Sequence, residues 1–304
     1  MAFLGSAVAA FAAVVFAIYW SVASSPESHA LPLPRLEPKV FGHPLTPDVR
    51  VMVLIAGWPD THEVWAHQVR AFADEYHIVS LTTPDYDRES LRRRWGYNLT
   101  EVPEMMARSL DAHLGPARRI DVMITHDWGA IWGYVLIQGA AAGRVGRLVA
   151  VDVGAASHDD LTRTAEIPGN LWSVPYQVVF ASLFTVGTTV SPALAQTLLG
   201  FFLSWIFPYV GPLHSDKASA GKAPRPLPEI EWWMGYPYYH IWCTHILAGQ
   251  PLLPPALFPS VPTLFLYGAK KRTMFHGAAF EERLQATAGC RVTRYEDQTL
   301  TAKP

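Results

Sequence analysis

A single aspartate stands where the sequence predicts an abrupt change from strand to helix. Asp127 lies in the run Ile-Thr-His-Asp-Trp-Gly-Ala at 124–130, after a short apolar stretch and before a helical pattern. A residue in such a turn projects its side chain from the carboxyl edge of a sheet, as the serine of the G-x-S-x-G nucleophile elbow does. A carboxylate there can attack an electrophilic carbon and form an ester, which suits an epoxide or alkyl halide. Asp127 is the predicted nucleophile.

The residues around Asp127 fit this turn with one exception. Gly129 and Ala130 are small enough for the helix to approach the strand closely. Thr125 stands two residues before the aspartate, where the elbow usually has glycine. This difference predicts an adjusted turn.

The elements that must position Asp127 alternate along the chain. Short apolar runs indicate strands buried on both faces, and segments of helical periodicity lie between them. The predicted strands are 51–55, 77–81, 119–125, 147–153, 263–267 and 291–295, and the predicted helices are 61–73, 100–114, 128–142 and 277–288. This alternation predicts an α/β fold with a mostly parallel sheet.

The chain divides into a core and an insertion. Residues 39–154 and 256–304 carry the alternating pattern, and the Pro/Ser-rich segment 25–38 precedes them as a linker. Residues 155–255 are too many for a loop, so we interpret them as an inserted helical cap, or lid.

Part of this cap is unusually apolar. Residues 167–215 contain no charged side chain but five prolines, which are expected to divide the stretch into pieces shorter than a membrane span. A lid facing apolar substrates is therefore favoured over a membrane-embedded hairpin. A lid that docks on a bilayer satisfies both interpretations.

The N-terminus predicts a hydrophobic helix. Residues 1–26 carry no charge, and the apolar run 2–23 is long enough to span a bilayer, which makes 1–24 a predicted membrane anchor. The small residues at 21–23 leave a cleaved signal peptide, and thus the secretory pathway, as an alternative. A buried core helix is the third interpretation.

Composition narrows the class of protein. Of 304 residues, 50% are hydrophobic and only 16% are charged, which excludes a disordered chain. The net charge of −2 offers no basic field for nucleic acid. Two cysteines exclude a disulfide scaffold and an all-cysteine zinc site, and no histidine pair has metal-binding helical spacing. We expect no metal or cofactor, and a small lipophilic molecule as the substrate.

The chain resembles the α/β-hydrolase superfamily, in its epoxide hydrolase and haloalkane dehalogenase branch. The resemblance covers about residues 45–297, and its specific part is His-Asp-Trp-Gly-Ala at 126–130. Gly-Trp-Pro at 57–59 resembles the branch's His-Gly-Trp/Phe-Pro loop, with Ala56 in place of the histidine. The resemblance implies an α/β-hydrolase fold.

The resemblance also implies roles for two tryptophans and three tyrosines. The backbone N–H groups of Trp58 and Trp128 are expected to form the oxyanion hole. Trp58 occupies the place where related dehalogenases often have a halide-binding asparagine, which favours epoxide hydrolysis. Epoxide opening in the family uses tyrosines of the cap as acids, and the candidates are Tyr236, Tyr238 and Tyr239. Simple aromatic packing is the alternative for these tyrosines.

The resemblance is incomplete at the catalytic base and acid. The family has a histidine after the last strand, whereas the last histidine here is His276, and residues 298–304 do not follow the family pattern. We therefore expect a C-terminally truncated form in which turnover is impaired. The family acid is replaced by Lys-Lys at 270–271, which leaves Asp152 as the candidate acid. The alternative for Asp152 is a strand-end carboxylate with local partners.

Two functional classes remain open. The first is a membrane-anchored hydrolase that opens epoxides of lipophilic small molecules through an ester on Asp127. The second is a non-catalytic protein of the same fold that binds an apolar ligand or partner through its cap. An ester or lipid hydrolase would fit the apolar cap but not an aspartate nucleophile.

Overall fold

The computed structural model describes six stretches of the chain. They are residues 33–89, 91–155, 168–206, 230–242, 257–269 and 274–295, with the side chains of 168–174 and 206 left out. The predicted anchor at 2–23 and the residues at 298–304 lie outside the described residues. Within these stretches, no helix combines the length and apolar character that crossing a bilayer requires.

Strands and helices alternate along the core, as the sequence pattern predicts. The strands are β1 (Lys39–Gly42), β2 (Arg50–Ile55), β3 (Tyr76–Leu81), β4 (Val122–His126), β5 (Leu148–Val151), β6 (Thr263–Gly268) and β7 (Arg291–Tyr295). The helices are α1 (Ala66–Phe72), α2 (Glu101–Leu114), α3 (Trp128–Gln138), α4 (Pro168–Thr189), α5 (Pro192–Phe201), α6 (Tyr236–Tyr239) and α7 (Ala278–Gln285). A 3-10 helix at His62–Trp65 precedes α1, and another at Trp232–Gly235 precedes α6.

The seven strands form one sheet in the order β1-β3-β2-β4-β5-β6-β7. All neighbours pair in parallel except β1, which the sequence pattern does not indicate and which runs antiparallel to β3 at one edge. Because parallel strands end at the same edge, the loops after β2, β4, β5 and β6 meet there. The predicted nucleophile, Asp127, and its predicted partners come from these loops.

Both faces of the sheet are buried, and β2 shows why its sequence is continuously apolar. Val51, Val53 and Ile55 join the larger core with α2 and α3, whereas Met52 and Leu54 pack on the other face. Side chains alternate between the two faces of a strand, so a strand covered on both sides has no position for a polar residue.

The described elements within 155–255 are helical. The longest of them, α4, has 22 residues and continues through Pro175, so the expectation that each proline divides this stretch is wrong at that position. A proline inside a helix removes one backbone hydrogen bond, at a cost of about 3 kcal/mol. Burial of Tyr176, Phe180 and Phe184 on the C-terminal side of Pro175 offsets that cost.

Candidate active site

Asp127 forms a strained turn between β4 and α3. Its backbone has φ 52° and ψ −125°, a region that residues other than glycine rarely adopt. The Asp127 N–H donates to the Val151 carbonyl of β5 at 3.2 Å, and its own carbonyl accepts from Ala130 N–H at 2.9 Å. These bonds hold the turn in place. Such strain at an otherwise regular strand–helix junction is a feature of the nucleophile elbow.

Two glycines of α3 let the helix start directly above the sheet. A Cβ on Gly129 would lie 2.3 Å from the carbonyl oxygen of Ile55 in β2, so only glycine fits. A Cβ on Gly133 would lie 2.7 Å from Cγ2 of Thr125. The buried Thr125 therefore occupies space that the helix leaves free one turn later. This is the adjustment that accommodates threonine where the elbow usually has glycine.

The loop after β2 directs a donor at the Asp127 carboxylate. The Trp58 backbone N–H donates to Asp127 Oδ2 at 2.9 Å, and the Trp128 backbone N–H also bonds to this carboxylate. Gly57 is needed for this approach, because a Cβ there would lie 2.5 Å from the carbonyl oxygen of His126 and 2.6 Å from Cβ of Asp127. The structure thus brings both predicted oxyanion donors to the predicted nucleophile.

Asp127 is half-buried, and desolvation of its carboxyl group raises its pKa above the ordinary value. The nearby His126 and the hydrogen bonds from the backbone N–H groups of Trp128 and Trp58 oppose this rise, while the charge of Asp152 adds to it. A desolvated carboxylate held by N–H groups is less shielded by water than an exposed one and is a better nucleophile.

Asp152 lies at the same edge of the sheet as Asp127. It follows β5 directly, has φ 79°, and its N–H donates to the Leu266 carbonyl of β6 at 2.8 Å. The side chain is buried, and its charge raises the pKa of Asp127. The structure therefore places the candidate acid near the nucleophile, and its role stays a prediction.

The phenol of Tyr238 covers the nucleophile from the cap. Its ring contacts Trp58 and Trp128 edge to face, at centroid distances of 5.5 and 5.4 Å, and stacks on Phe180 at 5.5 Å. Burial raises the pKa of Tyr238 well above its ordinary value, and the nearby Tyr176 and Asp127 raise it further. The phenol thus stays protonated and can donate a proton beside the carboxylate.

A second tyrosine near Asp127, Tyr176 of α4, was not among the sequence candidates. Its ring lies 6.0 Å from that of Tyr238, and burial raises its pKa, with the Asp127 charge as the next cause. Tyr176 lies outside the aromatic run at the end of the cap, from which the candidates were taken. Its position as the only tyrosine of the uncharged α4 was the available signal.

The other two tyrosine candidates make different contacts. Tyr236 donates its hydroxyl hydrogen to the Pro84 carbonyl at 3.2 Å and lies against the rings of Tyr86 and Tyr97. Tyr239 stacks on Trp95 at 5.3 Å. These contacts join the cap to the loop after β3, which fits packing rather than proton donation.

One backbone carbonyl of the cap accepts hydrogen bonds from two loops of the core. They are the loop after β2, which contains Trp58 and is called the donor loop, and the loop after β3, which contains Tyr86. The Met234 carbonyl accepts the Trp58 indole N–H at 3.0 Å and the Tyr86 hydroxyl at 2.7 Å. Trp58 therefore contributes its backbone to the nucleophile and its side chain to the cap.

His276 is hydrogen-bonded to a carboxylate, and His126 lies near another. His276 Nε2 lies 2.9 Å from Glu281 Oε1, and its buried ring contacts Phe265 and Tyr267. His126 Nδ1 lies 3.8 Å from Asp60 Oδ2. Lys-Lys at 270–271, which replaces the family acid, lies outside the described residues.

No protein-family model matches the sequence, and no curated protein matches it. Solved structures, however, are similar to this chain. An epoxide hydrolase from metagenomes of hot environments is 17% identical, covers 86% of this chain and 91% of its own, and has a TM-score of 0.59. A Bacillus megaterium epoxide hydrolase in complex with an inhibitor is 18% identical over 86% of this chain and 89% of its own, with a TM-score of 0.56. This chain has the α/β-hydrolase fold.

The α/β-hydrolase fold is also shared with other activities. An enol-lactonase from Burkholderia xenovorans LB400 is 17% identical, covers 86% of this chain and 87% of its own, and has a TM-score of 0.52. At such identities the likeness concerns the fold, so function must be argued from the site.

Proposed function

We propose that this chain is a hydrolase of lipophilic small molecules that opens epoxides through an alkyl ester on Asp127. The observation that carries the proposal is the surroundings of this carboxylate. It lies in a strained elbow, accepts the Trp58 N–H at 2.9 Å, and faces the protonated phenol of Tyr238. Two of the similar structures described above are epoxide hydrolases, which supports this choice of chemistry.

In the first step an Asp127 oxygen attacks a carbon of the epoxide ring. The bond from that carbon to the ring oxygen breaks, and the oxygen takes the proton of Tyr238, with Tyr176 as a second donor. The products are a hydroxyalkyl ester on Asp127 and a tyrosinate. General-acid assistance of this kind contributes about 10²–10⁴ in rate.

In the second step water adds to the carbonyl carbon of the ester. The negative charge that develops on the ester oxygen is stabilised by the N–H groups of Trp58 and Trp128. The tetrahedral intermediate then releases the diol and restores the Asp127 carboxylate, and Tyr238 regains its proton from the water. A positioned base normally removes that proton from the attacking water.

We further propose that this second step is slow. His276 is bound to Glu281 within an aromatic environment, and Lys-Lys at 270–271 stands at the place of the family acid. Asp152 would then act on the charge of the site rather than orient a histidine base.

Intact-mass analysis tests the proposal. The protein is incubated with a panel of aromatic and fatty epoxides, and we expect a lasting gain of one substrate mass that is absent in Asp127→Asn. Digestion should locate the adduct on Asp127. Diol formed at a normal steady-state rate by Asp127→Asn would refute the proposed nucleophile. Diol formed by the wild type alone, without an adduct, would refute only the slow second step.

A pair of neighbouring tyrosines provides a matched test of the acid. Tyr238→Phe should slow adduct formation by about 10²-fold or more. Tyr239→Phe removes the same atom one residue away, where the ring stacks on Trp95 and not on the nucleophile loop, and should label as the wild type does. Equal rates for the two variants would exclude Tyr238 as the acid.

A non-catalytic binding protein is the second candidate function. The packing of Trp58, Phe180 and Tyr238 into one aromatic wall favours it, because such a wall suits an apolar ligand. Binding of an unreactive aromatic ligand that Asp127→Asn leaves unchanged, without any adduct from epoxides, would support this function.

We also propose that residues 2–23 hold the chain at a membrane, because this run contains no charged side chain. Resistance of the full chain to carbonate extraction is expected. Release into the supernatant, or removal of the segment in the secretory pathway, would refute an anchor.

A further inference from the structure

An apolar stripe runs along the outer side of the cap. Five side chains compose what we call the α5 stripe: Val190, Leu194, Leu198, Phe201 and Trp205. The spacing of Leu194, Leu198 and Phe201 puts them on one side of α5. Val190 lies in the turn that precedes the helix, and Trp205 lies in the π-helical turn at Phe202–Ile206 that follows it. Each of them is between 39% and 69% exposed. A contiguous exposed apolar surface of this kind is typical of an interaction site.

The inner face of α5, opposite the α5 stripe, packs against the rest of the cap and fixes the orientation of the helix. Ala195 and Leu199 are buried against the cap. The amide of Gln196 donates to the Ile230 carbonyl at 3.1 Å and accepts the Trp232 N–H at 3.0 Å. The α5 stripe is thus presented outward by a helix that is anchored on its inner side.

Hydroxyl groups near the α5 stripe are satisfied within the helices. Thr188 donates to the Phe184 carbonyl at 2.7 Å, and Thr197 donates to the Ala193 carbonyl at 2.9 Å. A hydroxyl bonded to the carbonyl four residues earlier needs no water, which suits an apolar environment. The helices from 168 to 206 contain no charged residue at all.

A cation lies at one end of the α5 stripe. The exposed Arg94 donates from Nη2 to the Thr188 carbonyl at 3.1 Å, and its guanidinium lies over the Trp95 ring. An arginine beside an apolar helix matches the anionic headgroups above lipid chains. Residues 190–205 contain no charged side chain, and of their polar side chains only those of Thr197 and Ser204 are exposed, which suits a lipid surface.

We propose that the α5 stripe docks on a lipid surface, with its side chains among the acyl chains and Arg94 at the headgroups. The helix lies in the interface and does not cross the bilayer. This inference does not rest on the proposed chemistry. It would nevertheless place the aromatic wall of the cap close to the phase in which apolar molecules concentrate.

Fluorescence quenching by brominated lipid tests the contact. The full chain is added to vesicles of phosphatidylcholine and phosphatidylglycerol, with and without bromine on the acyl chains. Trp205→Phe should lose part of the quenched emission, whereas quenching of Trp20 in the proposed anchor is common to both proteins. Trp65→Phe removes a buried tryptophan beside α1 and should leave the quenched part unchanged. Equal quenching of the wild type and Trp205→Phe would overturn the proposal.

Hydrogen exchange separates a lipid from other occupants. Vesicles should protect residues 190–206 in the wild type and in Leu45→Glu, an exposed leucine in the loop after β1. They should not protect this segment in the double variant Leu194→Glu/Leu198→Glu, whose thermal unfolding is compared with that of wild type. Exchange that slows with rising protein concentration in the absence of vesicles, and that vesicles do not slow further, would identify a second copy as the occupant and overturn the lipid proposal.

Discussion

Asp85 and Asp127 are aspartates with positive φ in the loops that follow the strands on either side of β2. Asp85 is buried and Asp127 is half-buried. Asp85 accepts hydrogen bonds from the Arg92 Nε at 2.6 Å, the Arg92 backbone N–H at 2.9 Å and the Tyr97 hydroxyl at 2.9 Å. Asp127 accepts backbone N–H groups and is covered by aromatic rings, without an ion pair to any residue that the structure describes.

The two aspartates differ in what surrounds their carboxylates. The oxygens of Asp85 accept from a cation and a phenol, so that its charge fixes the loop after β3. The carboxylate of Asp127, the proposed nucleophile, accepts backbone N–H groups and lies near the phenols of Tyr176 and Tyr238. A positive φ is common to both residues, so backbone strain alone does not identify a nucleophile.

The largest expected difference between variants of the two aspartates is in the rate of adduct formation. Asp127→Asn should lower the rate of epoxide labelling by at least about 10⁴-fold, because an amide oxygen is a poor nucleophile. Asp85→Asn should label at the wild-type rate per folded molecule. The measurement is intact mass against time, with the folded fraction fixed by circular dichroism. Similar losses in both variants would mean that the comparison is wrong.

A less drastic change tests the donor loop. Gly57→Ala should lower turnover or ester hydrolysis by about 10²–10³-fold, because the added Cβ clashes with the turn at Asp127 and displaces the Trp58 N–H. Gly200→Ala is the control, since a Cβ there meets nothing within 4 Å. It should leave the rate unchanged and raise helix stability slightly. Wild-type hydrolysis in Gly57→Ala would exclude this loop from the oxyanion hole.

The third expected effect concerns the free energy of unfolding and the role of Asp85. Asp85→Asn should lower the free energy of unfolding by about 3 kcal/mol, the lower end for a broken buried ion pair. The lower end applies because the Arg92 side chain is 30% exposed and water compensates part of its charge. Urea denaturation measures the change. A stability equal to that of wild type would show that the Asp85 cluster does not hold the loop.

The smallest effect concerns pH. The raised pKa of Asp127 means that the folded protein binds this proton more tightly than the unfolded chain does, so burial of the ionised form reduces stability as pH rises through the folded-state pKa. Asp127→Asn should therefore be more stable than wild type at about pH 8, and this advantage should shrink toward about pH 4. Denaturation at both pH values tests this. An advantage that grows at low pH would contradict the direction of the pKa shift.

Local patterns were sufficient to predict much of the core. A strand buried on both faces has an apolar run, so β2 and β3 were predicted within a residue of their bounds. β1 was not, because three of its four side chains are exposed and its position depends on pairing with β3. The elbow at Asp127 was visible because glycine and a strand–helix change occur within a few residues.

The cap required information that no local pattern contains. Which phenol faces Asp127 depends on how α4 and α6 pack over the sheet, and only one of three candidates, Tyr238, makes contacts beside the nucleophile loop. Tyr176 lies 62 residues earlier in the chain and becomes its neighbour through folding alone. The helix through Pro175 likewise depends on burial of the residues that follow it.

The Met234 carbonyl links the cap to the loop that carries the proposed oxyanion donor. Lifting this segment would break the bonds from the Trp58 indole and the Tyr86 hydroxyl together. In the proposed mechanism, closing the cap would therefore also support the Trp58 N–H at Asp127, so that an open site would be an unprepared one.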